Sequence, residues 1–242
     1  MLPHKGKVAL VTGGAKRIGK DICEHLIREG WQIIVHYHQS AIEAENFASN
    51  NPSVICIEQC DFSNPKNIQP FISNLYSRYG KIDLLVNCAS SFINDSLDNM
   101  SLSTWEANLS TNGLAPLLLT KYFAEQQGLD QNNQGRVINL LDNTLKPRGD
   151  IFTSYSLSNK MLKHITKLTA KHYAPYILIN GISLGTTLKG TNQSDKHFNQ
   201  MVESCLLKKA VTMDDLLALI SFLLKSNSMT GQILKLSSEQ SS

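Results

Sequence analysis

The chain has 242 residues, 23 basic and 20 acidic side chains, a net charge of +3 and a hydrophobic fraction of 42%. This length and apolar content can bury one substantial core without a partner, so we expect a single domain over residues 1–242. The charges are scattered, with no run of Lys and Arg that would follow a phosphate backbone, which argues against nucleic acid as a partner. No apolar stretch reaches the length of a membrane span, which argues against a membrane partner.

The cysteines are odd in number and contain no Cys-x-x-Cys pair, a pattern that argues against a disulfide framework and against a metal site. The amino terminus, Met1 to Lys7, runs into a strand pattern and leaves no room for a secretory apolar segment. We therefore expect a cytoplasmic protein with reduced thiols. The cysteines are Cys23, Cys56, Cys60, Cys88 and Cys205.

Short apolar runs alternate with longer segments that have helical spacing of apolar residues, and this alternation predicts right-handed crossovers and a parallel sheet. The expected fold is α/β, a Rossmann-like doubly wound parallel sheet of about seven strands with helices on both faces. The polar tail 237–242 is expected to be loose. Strands are predicted at 7–11, 32–37, 53–58, 82–86, 136–140, 176–182 and 232–236, and helices at 17–29, 42–49, 65–79 and 154–172.

A glycine-containing loop follows the first predicted strand and opens a helix. In this setting glycine lets the backbone approach a pyrophosphate that the helix amides hold. A strand-to-helix turn that simply needs glycine is the alternative. The segment runs from Thr12 to Gly19, and its predicted cofactor-binding residues are Gly13, Lys16, Arg17, Ile18 and Gly19.

The end of the second predicted strand indicates which nucleotide binds. A preference for NAD normally shows as a carboxylate there, and the segment from Trp31 to Ile42 contains no Asp or Glu. Lys16, Arg17, His38 and Ser40 instead offer donors and positive charge to a 2′-phosphate, although each could be a solvated surface group. The sequence therefore predicts NADPH as the cofactor.

Several motifs together resemble the short-chain dehydrogenase/reductase family: the loop at 12–19, Asp61, Asn87-Cys88-Ala89, Asn112 and Tyr155. The resemblance implies that Asp61 contacts adenine, that Asn87 lies along the cofactor, and that Asn112 supports a proton relay through water. It also implies a homodimer or homotetramer formed through long helices that start near Asn112 and Ser154. Tyr37, Phe62, Ala89, Ser90 and Tyr155 complete the predicted cofactor contacts.

Within that family, three strings resemble the pteridine reductases: 36–40, 87–92, and 139–142 with Tyr155 thirteen residues further on. The resemblance implies that Asp142 pairs with Tyr155 as the proton donor, that Phe92 stacks on a pterin, and that Ser90 bonds the polar edge of that ring. Asp142 could instead cap a turn, and a Phe after a strand is commonly a core residue. The implied activity is NADPH-dependent reduction of a dihydropterin or dihydrofolate.

One helical position departs from the family pattern. The family has a Lys four residues after the Tyr, whereas here Asn159 stands at that position and Lys160 comes one residue late. In a regular helix Lys160 is turned about 100° away from the site. Either a π-bulge restores Lys160, or Asn159 holds the ribose without charge, or the protein binds nucleotide without catalysis.

Two further departures affect loops near the site. Leu184 replaces a Pro on the nicotinamide side, and 237–239 stands where an Asp-Gly-Gly is common. The polar segment 187–205 is the predicted substrate lid, and it does not identify the substrate. A carbonyl reductase acting on a ketone such as an oxoacyl thioester therefore remains the alternative enzyme, and a nucleotide-binding protein without activity is the alternative outside enzymes.

Overall fold

A computed structural model describes residues 6–126, 134–143, 151–190 and 193–238. These residues form a seven-stranded parallel sheet in the order β3-β2-β1-β4-β5-β6-β7. Each predicted strand is confirmed, and β5 and β6 each continue two residues further than predicted. The strands are β1 (Val8–Val11), β2 (Gln32–Tyr37), β3 (Val54–Gln59), β4 (Leu84–Asn87), β5 (Gly135–Asp142), β6 (Ile177–Leu184) and β7 (Ile233–Leu236).

Helices cover both faces of the sheet, because buried apolar side chains line each face. Ile72 and Phe123 pack on one face, and Leu26 and Ile220 pack on the other. The predicted doubly wound α/β fold is confirmed. No helix within the described ranges has both the length and the apolarity that crossing a membrane requires. The helices are α1 (Arg17–Arg28), α2 (Ala41–Ser49), α3 (Ile68–Tyr79), α4 (Leu102–Leu109), α5 (Ala115–Gln126), α6 (Thr153–Tyr173), α7 (Asp195–Ser204) and α8 (Met213–Lys225).

The strand order reverses between β1 and β4, and this switch point fixes where a ligand can bind. Val11 lies beside Val86 in the parallel register, so the loops that follow β1 and β4 leave the sheet side by side. Crevices of this kind, at the carboxyl ends of parallel strands, are where open α/β sheets bind ligands. Both loops carry predicted site residues.

The helix predicted from near Asn112 is not a single regular helix. A π-helical turn at Ser110–Leu114 joins α4 to α5, and Asn112 lies buried within it. By contrast, α6 is a continuous α-helix over 21 residues. A π-bulge after Tyr155, one of the three explanations for Lys160, is therefore wrong: the π turn lies in the preceding helix pair instead.

Ser238 does not behave as part of a loose tail. Its side chain is buried, its hydroxyl donates to the Lys209 carbonyl at 2.6 Å, and its carbonyl accepts from the Leu206 amide at 2.9 Å. The expectation of a loose polar tail is therefore wrong at this position, and residues 239–242 lie outside the described residues.

Candidate active site

The loop after β1 is closed tightly around two glycines. Gly13 has a φ of +67°, which favours glycine, and a Cβ there would lie 3.0 Å from the Ala89 Cα. A Cβ on Gly19 would run into the carbonyl of Gly13. The predicted residues Gly13, Gly19 and Ala89 therefore meet at close range, and half-buried Ile18 packs against the core on one face of the sheet. Such a cradle leaves backbone amides at the start of α1 open to an anion.

A buried histidine that sequence reasoning did not assign to the site supports this loop. His36 Nδ1 accepts from the Gly13 amide at 3.1 Å, and Nε2 contacts the Cys60 carbonyl at 3.0 Å. The imidazole therefore carries its proton on Nε2 and is neutral. Burial lowers the pKa of His36 to about 4 despite the favourable Cys60 carbonyl. Its ring stacks on Phe62 with centroids 4.0 Å apart, so predicted Phe62 supports the loop through its buried side chain.

Of the predicted donors for a 2′-phosphate, His38 and Ser40 follow β2, and Lys16 immediately precedes α1. Lys16 and His38 are exposed, Ser40 is the residue at the amino terminus of α2, and half-buried Tyr37 ends the strand. The carboxylate of Asp61 lies 3.9 Å from His38 Nε2. Partial burial opposes ionisation of Asp61, but hydrogen bonds from Ser63 outweigh it and hold its pKa below the ordinary value.

Arg17 is placed differently from its predicted role at the 2′-phosphate. Its Nη2 donates to the carbonyl of Lys189 at 2.8 Å, so the guanidinium reaches the segment that follows β6. Lys189 in turn pairs with Asp195 at the start of α7. Arg17 therefore connects the glycine loop to the predicted lid, a contact between residues far apart in sequence that spacing alone does not reveal.

Asn87, at the end of β4, begins a chain of buried side-chain hydrogen bonds. Its Nδ2 donates to Asn139 Oδ1 at 2.7 Å, and Asn139 Nδ2 donates to Thr166 Oγ1 on α6 at 2.8 Å. Asn87 Oδ1 is buried and has no hydrogen-bond partner among the described residues. A buried acceptor of this kind is costly unless a ligand supplies the donor.

Two buried asparagines hold the loop after β4 in place. Asn112 Oδ1 accepts from the Ser91 amide at 2.7 Å, and its Nδ2 donates to the Ser91 carbonyl at 2.8 Å and to Ser158 Oγ at 3.0 Å. Asn108, which was not predicted, bonds Ser91 Oγ and both backbone groups of Ile93. The π turn therefore places Asn112 as a positioning residue for Ser90 and Phe92.

The predicted pair of Asp142 and Tyr155 is present. The Tyr155 hydroxyl donates to Asp142 Oδ2 at 3.1 Å. Burial and the neighbouring Asp142 carboxylate raise the pKa of Tyr155 well above its ordinary value, and hydrogen bonds from Asn159 and Ser90 lower it only in part. The phenol therefore holds its proton at neutral pH and has one to donate.

Asn159 is built into the same site through its amide. Its Oδ1 accepts from the Asp142 backbone amide at 2.9 Å, and its Nδ2 donates to the Tyr155 carbonyl at 3.2 Å. Lys160, the next residue on a regular helix, is exposed. Its prediction as a catalytic residue is therefore not supported by the structure, because the extra 100° of helical rotation turns it to solvent.

Phe92 lies open at the mouth of the site. Its side chain is 54% exposed, which excludes a core role. One face stacks on Phe152, with centroids 4.4 Å apart and an interplanar angle of 19°, and Tyr155 meets it edge to face at 4.6 Å. Phe152 was missed by sequence reasoning, because its position depends on a left-handed φ of 50° just before α6.

A nucleotide cradle at the switch point and the hydrogen-bonded pair of buried Tyr155 and half-buried Asp142 define a dinucleotide-binding protein with an acid–base site. Residues 7–200 match the family model described as short chain dehydrogenase. The chain belongs to this family of oxidoreductases, and the resemblance seen in the sequence is confirmed.

The chain is also similar to individual reductases of known type. Pteridine reductase 1 of Leishmania tarentolae is 28% identical, over 75% of this chain and 76% of that protein. FolM alternative dihydrofolate reductase 1 from Brucella canis, solved in complex with NADP, is 29% identical with a TM-score of 0.86, covering 97% of this chain and 93% of that one. Acetoacetyl-CoA reductase of Allochromatium vinosum is 26% identical over 93% of this chain and 94% of that protein.

Proposed function

We propose that this chain uses NADPH to reduce a dihydropterin or dihydrofolate, with Tyr155 as the proton donor. The observation that carries the proposal is the 3.1 Å hydrogen bond from Tyr155 to Asp142, formed beside the exposed ring of Phe92. The similarity to a pteridine reductase and to a FolM dihydrofolate reductase supports the same substrate class.

The residues of the switch point fit a dinucleotide. Glycine at position 13 lets the loop close against Ala89 without a clash, and the loop leads into the amino terminus of α1, whose amides suit a pyrophosphate. Asn87 Oδ1, which has no partner among the described residues, is a buried acceptor for a donor of the ligand. We assign the adenine side to Asp61 and Phe62. When bound, NADPH supplies the hydride.

The preference for NADPH over NADH rests on the end of β2. No carboxylate lies between Trp31 and Ile42, the amino terminus of α2 begins at Ser40 two residues after His38, and Lys16 stands at the start of α1. A helix amino terminus and cationic side chains favour a phosphate dianion, whereas a ribose diol would need an acceptor. Asp61 stays ionised, but its carboxylate accepts hydrogen bonds from Ser63, which weakens its repulsion of a 2′-phosphate.

The substrate surface is built from aromatic and hydroxyl groups. A flat heteroaromatic ring gains from packing against the exposed part of the Phe92 ring, while Ser90 offers a hydroxyl to the polar edge of the heteroaromatic ring. Phe152 stacks on the Phe92 ring and holds its orientation. We assign residues 187–205 as the lid, which Arg17 contacts through the Lys189 carbonyl.

We assign the donation of the proton to the Tyr155–Asp142 pair. Reducing a C=N bond requires a proton on nitrogen, and Tyr155 keeps its proton because burial and Asp142 disfavour the phenolate. After donation, a phenolate beside a carboxylate would be unfavourable, so the pair must regain a proton before the next turnover. Asn112 and Asn159 hold the surrounding backbone; neither supplies a positive charge.

The direct test is NADPH oxidation measured with dihydrobiopterin, dihydrofolate and a simple ketone as alternative substrates. We expect turnover of at least one of the first two, and a loss of about 100-fold or more in kcat for Tyr155→Phe. Phe92→Ala is expected to raise the pterin KM and to leave NADPH affinity nearly unchanged. Leu97→Ala, another exposed apolar side chain in the same connection, is the matched control.

Other outcomes would contradict the proposal. Turnover of the ketone alone would identify a carbonyl reductase, and NADPH binding without oxidation of any substrate would identify a nucleotide-binding protein that lacks activity. NADH binding as tight as or tighter than NADPH binding would overturn the cofactor assignment. We further propose a cytoplasmic location, which suits the free thiols of all five cysteines.

A further inference from the structure

A groove of about 840 Å³ lies between α6 and the edge strand β7, and it is lined by four lysines. Lys163, Lys167 and Lys171 come from α6, and Lys235 comes from β7. We propose that this groove binds a small linear polyanion that carries carboxylate or phosphate groups. The proposal is independent of the reductase function, because none of these lysines belongs to the candidate active site.

The lysines form two walls of the same groove. Those on α6 are four residues apart and therefore form a stripe along one side of the helix, about 12 Å long at 1.5 Å per residue. Lys235 faces them from β7, two residues after Ile233, and side chains two apart on a strand share a face. Ile233 also lines the groove and packs on the cluster of Leu141 and Leu162 beneath α6. The positive charges therefore converge on one elongated space.

The positive charge of α6 is not balanced by acidic residues of the same helix. From Thr153 to Tyr173, α6 contains no Asp or Glu, although it carries four lysines. Among the described residues, none of the four groove lysines forms an ion pair, whereas Lys20 and Lys121 on other helices each pair with a Glu four residues on. Like charges at this spacing repel each other, so a bound anion would relieve the repulsion.

The remaining lining indicates what kind of anion fits. Among the described residues, no acidic side chain lines the groove, and the polar side chains of Asn143 and Gln232 line it together with the lysines. Asn143 Oδ1 accepts from Ser183 Oγ at 3.4 Å, and the side-chain nitrogen Nδ2 of Asn143 is the donor that this residue offers to the groove. The described part of the lining contains no aromatic residue, so it offers a nucleotide base no stacking surface. A chain of anionic groups matches this lining better than a nucleic acid does.

The groove adjoins the candidate active site without sharing its residues. Asn143 follows Asp142 directly, and Lys163 lies one helical turn after Asn159. The reductase function uses the first turns of α6, and the groove uses the middle and last turns. A ligand could therefore occupy the groove while cofactor is bound.

The experiment is calorimetric titration of tripolyphosphate and of triglutamate into the full chain saturated with NADP⁺, which blocks the nucleotide site. Wild type is compared with the triple variant Lys163→Gln, Lys167→Gln, Lys171→Gln. The matched control, Lys66→Gln, Lys121→Gln, Lys225→Gln, removes the same charge from exposed positions elsewhere. We expect the groove variant to bind at least about tenfold more weakly than wild type and the control to stay within about twofold.

The tighter of the two probes assigns the ligand as a phosphate or a carboxylate chain, and its affinity should fall as salt is added. Absence of binding by wild type at millimolar probe, or equal weakening in both triple variants, would overturn the proposal. Lysine acetylation of the wild-type chain, read by mass spectrometry, is a second measurement that requires no variant. The probe should protect Lys163, Lys167, Lys171 and Lys235 and leave Lys66 unprotected; uniform labelling would count against the groove.

Discussion

At the scale of single residues, the proposed proton transfer depends on the charges around Tyr155 and on the hydrogen bonds that hold it. The phenol lies against the Asp142 carboxylate, and the uncharged amide of Asn159 stands where the family resemblance implies a Lys. A cation one helical turn away would favour the phenolate, whereas the carboxylate disfavours it. The present arrangement therefore retains a proton for donation at the expense of stabilising the phenolate that donation leaves.

Exchanging residues 159 and 160 tests how the charge near Tyr155 controls the ionisation of its phenol. The variant Asn159→Lys, Lys160→Asn has the same net charge as wild type and moves the cation to the helical position above Tyr155. We expect the pKa of Tyr155 to fall and kcat at neutral pH to rise about tenfold, measured as a pH profile of dihydropterin reduction.

The control is Lys160→Asn alone, which removes an exposed charge and should leave kcat within about twofold. A profile for the exchanged variant that coincides with wild type would show that residue 159 does not control the phenol. No turnover in wild type together with rescue in the exchanged variant would instead establish that Asn159 abolishes catalysis.

His36 makes stability depend on pH. Burial lowers its pKa from 6.5 to about 4, so below about pH 6.5 the unfolded chain takes up a proton that the folded chain refuses. This contribution to the free energy of unfolding is complete above pH 6.5 and is lost as the pH falls towards 4. It amounts to about 3 kcal/mol at most.

The measurement is denaturant unfolding of wild type and of His36→Asn between pH 4 and 8, a range that includes the pKa of His36 in the folded chain and its ordinary value. Asn cannot titrate and can accept from the Gly13 amide, so its stability should fall less on acidification. His164→Gln, on the exposed side of α6, should keep the slope of wild type. Parallel curves for wild type and His36→Asn would refute the role of His36.

At the scale of elements, the loop after β4 is positioned by α4 and the π turn. Asn108 and Asn112 stand four residues apart and together satisfy the backbone of Ser91 and Ile93, on either side of Phe92. Asn108 also donates to Ser154 Oγ at the start of α6. Asn108 therefore ties the loop that carries Phe92 to the start of α6.

Asn108→Ala should loosen this loop. It leaves both backbone groups of Ile93 without their side-chain partner and is expected to cost about 2–4 kcal/mol of unfolding free energy. Because the loop carries Phe92, the pterin KM should rise about tenfold, while NADPH affinity changes little. Asn50→Ala, which removes an exposed amide at the end of α2, is the control for both readouts. An unchanged pterin KM would show that Asn108 acts only on stability.

Sequence patterns predicted those parts of the fold and site that local signals encode. The seven strands and the turn at Gly13 each have such a signal, whereas the pair of Asp142 and Tyr155 was implied by the family resemblance. His36 lies in an apolar strand, and its bond to Gly13 exists only because β1 and β2 are neighbours. Phe152 and Asn108 likewise act through contacts between distant segments, so no short pattern identifies them.

At the scale of the whole molecule, apolar side chains remain exposed on α6, one of the two helices that the family resemblance assigns to oligomer contacts. Leu157 and Leu168 on this helix are 40% and 56% exposed. Leu157 and Leu168 are eleven residues apart, about three helical turns, so they lie on the same side of α6. An apolar stripe of this kind indicates a surface that a second copy can bury.

We therefore expect the chain to be a dimer or tetramer in solution, and Leu168→Asp to shift it towards monomer because a buried carboxylate without a partner is unfavourable. The measurement is the mass in solution by light scattering or sedimentation at micromolar concentration. Leu206→Asp introduces the same charge at an apolar side chain that is 66% exposed and lies outside α4 and α6, and it should keep the mass of wild type. Wild type that is monomeric at this concentration would overturn the expectation. An equal loss of mass in both variants would mean that the interface is not specific to α6, since a contact through that helix should respond to residue 168 alone.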